Sequence, residues 1–299
     1  MRMETTIQDN FLLLLEQLEP RKADYDLYES HRNSLTKRLH TDYATNKIEL
    51  IGSFRRNTAI SGSSDIDLLL VLSRSEVKWG DGWKASTTIL SNLREQLRDR
   101  YWNTYVGIDK QAVTAHFGDG KHPVDIVPAV YDGNGGAWNY PIFFIPDGTG
   151  DWMPTSPQAH NKFINDADIL SGGKLKQTVK LIKCWRECRT PAIPLNMFYL
   201  EMVLAHEEIC QAGMSLGLCL NNALAHLANS ECEGLDDPVE VSGKIEAANS
   251  ETKINLVCKS AHTFAGKAFK ALSAEEEGDL EEAIRLWNLV FNGYFPAAD

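Results

Sequence analysis

The 299-residue chain has no Cys-x-x-Cys pair, no internal repeat, no low-complexity tract and no apolar run approaching the roughly 20 residues that span a bilayer. It also lacks the basic, apolar and small-residue succession of a secretory leader, so a cytoplasmic protein with no membrane partner is expected. The six cysteines (Cys184, Cys188, Cys210, Cys219, Cys232 and Cys258) all lie in the second half, in a pattern that fits reduced thiols rather than a disulfide framework. Cys184, Cys188, His206 and Cys210 have a spacing that zinc could use, but ordinary buried cysteines are the favoured reading.

Basic residues are scarce. Lys and Arg number 30 against 41 Asp and Glu, for a formal net charge of -11, and the imbalance is concentrated beyond residue 150 (13 against 21). Proteins that track a phosphate backbone carry a basic face, so a long nucleic acid is not the expected partner. A local basic cleft for single nucleotides is compatible with this charge. The hydrophobic fraction of 43% is that of a globular chain with one large or two modest domains.

Along the chain, Phe11, Leu12, Leu14, Leu15 and Leu18, then Tyr25, Tyr28, Leu35 and Leu39, recur at helical spacing and predict one long amphipathic helix, bent or restarted near Pro20. Ile48 to Ile51 and Ile66 to Leu72 read as strands around a polar Gly/Ser/Thr stretch, and Ile89 to Leu97 as helix. Ala112 to Phe117 and His122 to Val130 predict a hairpin turning at Gly118-Asp119-Gly120. Asp132 to Gly136 reads as a loop and Tyr140 to Ile145 as a strand. From Gln158 onward helical spacing dominates, with residues 229 to 252 the least regular.

The chemistry is concentrated in Ile51-Gly-Ser-Phe-Arg-Arg-Asn-Thr58 and Ser64-Asp-Ile-Asp-Leu-Leu-Leu-Val-Leu72. Residues i and i+2 of a strand share a face, so Asp65 and Asp67 are expected together, opposite Ile66 and Leu68. Paired carboxylates beside an apolar run are costly unless a cation neutralises them, and Mg²⁺ or Mn²⁺ takes carboxylate oxygens. Asp125, inside Pro-Val-Asp-Ile-Val-Pro, repeats the pattern on a later strand. Three carboxylates on neighbouring strands suit a two-ion phosphoryl-transfer site. Gly52 lets backbone approach a phosphate, Ser53 adds a hydroxyl, and Thr58, Arg55 and Arg56 lie nearby, the two arginines reading mainly as solvated charges.

Gly-Ser, a short helix, Asp-x-Asp and a third Asp together resemble the polymerase beta-like nucleotidyltransferase superfamily. More narrowly, Trp152-Met-Pro-Thr-Ser-Pro157, Val179-Lys-Leu-Ile-Lys-Cys-Trp185, Phe198-Tyr-Leu-Glu201 and the ending Leu286-Trp-Asn-Leu-Val-Phe-Asn-Gly-Tyr-Phe-Pro296 resemble the bacterial cGAS/DncV-like nucleotidyltransferases, relatives of the oligoadenylate synthases. The resemblance implies an α+β fold: a nucleotidyltransferase core with a mixed sheet and the long N-terminal helix over 1–155, a helical lobe over 156–299, and the active site in the cleft between them. It implies that Asp65, Asp67 and Asp125 bind two Mg²⁺ or Mn²⁺ ions. It implies that Lys183 holds the donor triphosphate and that Phe198 or Tyr199 stacks on a base.

The expected product is a cyclic oligonucleotide second messenger made from ATP or other NTPs in antiphage (CBASS) signalling. A regulatory protein partner and an effector activated by the product are implied with it. Linear oligoadenylate synthesis, RNA-end transfer and transfer to a small molecule stand as alternatives.

Overall fold

The computed structural model describes residues 6–63, 65–117 and 123–296. In chain order the elements are α1 (Ile7–Leu18), α2 (Lys22–Asp42), β1 (Thr45–Ile51), α3 (Gly52–Arg56), β2 (Ile66–Leu72), α4 (Arg74–Val77), β3 (Lys78–Trp79), β4 (Gly82–Trp83), α5 (Ser86–Arg100), β5 (Tyr105–Asp109), β6 (Ala112–His116), β7 (Val124–Gly135), β8 (Tyr140–Pro146) and β9 (Trp152–Thr155). There follow α6 (Pro157–Leu170), α7 (Lys174–Glu187), α8 (Met197–His206), α9 (Leu216–Asn229), β10 (Leu235–Asp236), β11 (Lys244–Ile245), α10 (Glu251–Glu276) and α11 (Leu280–Val290).

By compactness the chain divides into two units, one of Pro20–Asn161 with Val239–Ser242, the other of Met1–Glu19, Lys162–Pro238 and Gly243–Asp299. The first holds a seven-stranded sheet, ordered β1-β2-β7-β6-β5, with β8 on β7 and β9 on β8. The β2/β7 pair is parallel and its neighbours are antiparallel, which makes the sheet mixed. Strand alternation sorts the residues by face. Ile66, Leu68, Leu70 and Leu72 join Val124, Ile126 and Val113 under α2 and α5, which contribute Tyr28, Leu35, Leu39, Ile89, Leu90, Leu93 and Leu97. On the opposite face Leu69, Val71, Ala112, Val127, Ala129 and Phe143 form a smaller cluster. Both faces of β2 are thus packed against apolar side chains.

The second unit is helical. Phe11 meets Trp287 and Phe295 edge-on, each with ring centroids 4.9 Å apart, so α1 packs with the far end of the chain. The expected N-terminal helix restarts at Pro20, as α1 and α2, with α1 belonging to this unit and α2 to the sheet unit. α10 packs against both α9 and α11, and its Ala261, Ala268, Ala271 and Ala274 are buried in the core of this unit. Among the described residues no helix is long and apolar enough to cross a membrane.

The expected hairpin is present as antiparallel β6 and β7, while its Gly118-Asp119-Gly120 turn lies outside the described residues. The expected loop over 132–136 is largely strand instead: β7 continues to Gly135, bulged between Tyr131 and Gly133, because Asn134 and Gly135 find partners in Pro141 and Tyr140.

Candidate active site

One register row crosses the sheet. Ile51 of β1 pairs with Asp67 of β2, Asp67 with Asp125 of β7, Asp125 with Thr114 of β6, and Thr114 with Gly107 of β5. Residues directly opposite one another share a face, so Asp67 and Asp125 stand side by side one strand spacing apart, about 4.8 Å. The two aspartates expected to converge from separate strands do so.

Asp65 lies just before β2 and is exposed, and its charge helps raise the Tyr28 phenol to about 12, behind the larger effects of burial, Asp24 and Tyr25. Gly52, at φ +67°, opens α3 where β1 ends. A Cβ there would fall 1.8 Å from Asp67 Oδ2, so only glycine lets the chain turn beside that carboxylate. Ser53 and Phe54 are half-buried, and Asn57, in the left-handed region, ends the helix. Thr58 is fully buried, and its amide donates to the Ser53 carbonyl at 2.9 Å. Thr58 therefore braces the turn. Arg55 is exposed and Arg56 is 9% exposed, so only the first fits the expectation of a solvated charge.

Burial raises the Asp125 carboxyl above its ordinary value, and a hydrogen bond from Thr114 Oγ1 to Asp125 Oδ1, 2.6 Å long, works against that rise. Asp109 raises it further and His116 lowers it. A buried acid beside a second acid calls for cationic compensation. Mg²⁺ at phosphate-transfer sites is held by one or two carboxylates together with substrate phosphates, and the adjacent Asp67 and Asp125 match that donor set. Among the described residues, no three His, Cys, Asp or Glu side chains cluster closely enough to hold an ion by themselves. Asp67 and Asp125 form a close pair in register, and Asp65 stands just before the same strand as Asp67.

In the helical unit, Lys183 of α7 is 7% exposed, on the same helix as Lys180, which pairs with Glu19 at 2.5 Å. Phe198 and Tyr199 follow Met197 in the first turn of α8, behind an Asn196 cap. They differ in kind. Tyr199 is 1% exposed, its hydroxyl donates to the Glu233 carbonyl at 2.7 Å, and burial raises its phenol above the ordinary range, so it is a core residue. Phe198 is half-buried and packs against the helical core. The cysteines are free thiols, Cys188 donating to the Trp185 carbonyl.

A mixed sheet that brings Asp67 and Asp125 into register behind a Gly-Ser turn, followed by a helical second unit, is the polymerase beta-like fold. The match to the Second Messenger Oligonucleotide or Dinucleotide Synthetase domain over residues 5–168 narrows this, and the chain belongs to that family.

A probable cyclic nucleotide synthase of Bacillus cereus is 24% identical, covering 85% of this chain and 84% of its own. A cyclic AMP-AMP-AMP synthase of Acinetobacter is also 24% identical, over 97% and 86%. Escherichia coli CdnC, solved with ATP, superposes with a TM-score of 0.73 at 19% identity, covering 98% of this chain and all of that one. Vibrio cholerae DncV cyclic AMP-GMP synthase, solved with a linear intermediate, gives 0.63 at 15% identity, over 84% and 69%.

Proposed function

We propose that this enzyme joins NTPs into a cyclic oligonucleotide second messenger, releasing pyrophosphate at each bond. The observation that carries the reading is the side-by-side placement of Asp67 and Asp125 with the Gly52 turn against Asp67. Asp65, Asp67 and Asp125 would hold two Mg²⁺ or Mn²⁺ ions, which supply charge neutralisation at the triphosphate and activation of the attacking hydroxyl. Asp125, with Oδ1 engaged by Thr114, takes the acceptor hydroxyl proton on Oδ2. The acceptor oxygen forms a bond to the donor α-phosphorus as the bond to the leaving pyrophosphate breaks. A second such transfer within the linear intermediate closes the ring.

Gly52 and Ser53 supply the turn beside the triphosphate, braced by Thr58. Lys183 neutralises the donor phosphates and Phe198 carries the donor base. The cyclic AMP-AMP-AMP synthases among the relatives support ATP as a substrate, and the CdnC complex with a HORMA protein supports a regulatory protein partner. Signalling to an effector in antiphage defence completes the proposal. Purified protein with all four NTPs and Mg²⁺ or Mn²⁺, followed by mass spectrometry of phosphatase-resistant products, tests it. A cyclic product supports the reading; a linear chain or a labelled small acceptor would replace it with one of the other transferases.

A further inference from the structure

A bond between two nucleotides needs a second base-binding surface beside the acids, and the sheet presents an exposed aromatic ring, Tyr105, at its edge. The row through Asp67, Asp125 and Thr114 ends at Gly107 of edge strand β5. Tyr105 and His116, paired with each other two residues away from Gly107 and Thr114, lie on the same face as the acids. Because Gly107 has no side chain, the Tyr105 ring folds back along its own strand over that position. Its Cε1 and Oη come within 3.3 Å of where a Gly107 Cβ would stand. The His116 ring backs it at 5.4 Å between centroids, tilted by 57°. The phenol therefore reaches the level of the carboxylate row while staying 71% exposed.

Exposure alone would mean little, since single exposed aromatics are common. Position separates this one from the rest. Asp125 and Gly107 are two strand spacings apart, about 9.6 Å. A nucleoside spans such a gap between its ribose hydroxyl and the far side of its base. Between them stands Thr114, small and with its hydroxyl already turned to Asp125.

We propose that Tyr105 is the stacking platform for the acceptor nucleobase, placing the acceptor hydroxyl at Asp125. The proposal rests on the synthase reading above and adds to it the acceptor's seat. Stacking on an aromatic ring tolerates any base, and its loss on truncation weakens binding about tenfold or more.

The test uses 2-aminopurine riboside 5′-monophosphate, a fluorescent probe quenched by stacking that lacks the triphosphate a donor needs. It is titrated into wild type, Tyr105→Ala and Tyr105→Phe with Mg²⁺ and saturating α,β-methylene-ATP, whose own binding is measured by calorimetry. Wild type and Tyr105→Phe are expected to quench with similar affinity. Tyr105→Ala should bind the probe at least about tenfold more weakly while keeping its affinity for the ATP analogue within about twofold. Undiminished quenching in Tyr105→Ala overturns the platform, as does an absence of quenching in wild type that binds the ATP analogue. Failure of wild type to bind the ATP analogue overturns the synthase reading and the platform with it.

Discussion

Gly52 and Asp67 are in such close approach that a Cβ on Gly52 would overlap the Asp67 carboxylate, 1.8 Å from Oδ2. The turn and the acid are one device. Gly52→Ala is predicted to cost stability by about 1–2 kcal/mol for the left-handed backbone alone. NTP turnover should fall by about 100-fold, since a 1 Å misplacement can cost that much. Denaturant unfolding and a pyrophosphate-release assay read the two effects separately.

Thr114 holds Asp125 by a 2.6 Å hydrogen bond. Removing a group that orients a metal ligand typically weakens metal affinity 10- to 100-fold. Thr114→Val should therefore weaken Mn²⁺ binding by at least about tenfold, measured by electron paramagnetic resonance of free Mn²⁺. Thr114→Ser, which keeps the hydroxyl, should stay near wild type. Equal affinity in the valine variant would count against the orienting role.

Asp125 also gives a pH prediction. Its folded-state carboxyl is raised, chiefly by burial, above the ordinary 3.8 that it has when unfolded. The folded chain therefore binds this proton more readily than the unfolded one. The stability that the bound proton contributes is present below the unfolded value and is lost as pH rises through the folded one. Metal-free Asp125→Asn should accordingly unfold at a higher temperature than wild type near neutral pH, and that advantage should shrink below about pH 4. Calorimetry of both proteins across pH 3.5 to 8, with chelator, checks the sign.

Phe198 and Tyr199, adjacent in sequence, should separate in experiment. Tyr199→Phe is predicted to lose about 1 kcal/mol with the hydrogen bond to Glu233 and to leave the KM for ATP unchanged. Phe198→Ala should raise that KM about tenfold through lost stacking. Reversed results would exchange the roles assigned to the two rings.

What the sequence made legible was local. The alternation in Asp65-Ile-Asp67 and Val124-Asp-Ile126, and a glycine at the end of β1, carry their structural meaning within a few residues. The row that joins them is non-local: the pairing of Asp67 with Asp125, and of Asp125 with Thr114, follows from strand order, which no local period encodes. Thr114 and Tyr105 belong to no motif and become visible only through register. Helix α8 is buried on nearly every side from Tyr199 to Ala205, so periodicity has no face with which to tell Phe198 from Tyr199. The stripe through Phe11 looks continuous with the one through Tyr28, yet its aromatic partners lie at Trp287 and Phe295.

The most direct test of the central claim is incubation of wild type and Asp65→Ala/Asp67→Ala with the four NTPs and Mg²⁺ or Mn²⁺, with mass spectrometry of the phosphatase-resistant products. Wild type is expected to yield a cyclic oligonucleotide that the double variant does not make. The same product from the double variant would contradict a site built on these carboxylates, and wild type that binds no NTP would contradict the synthase itself.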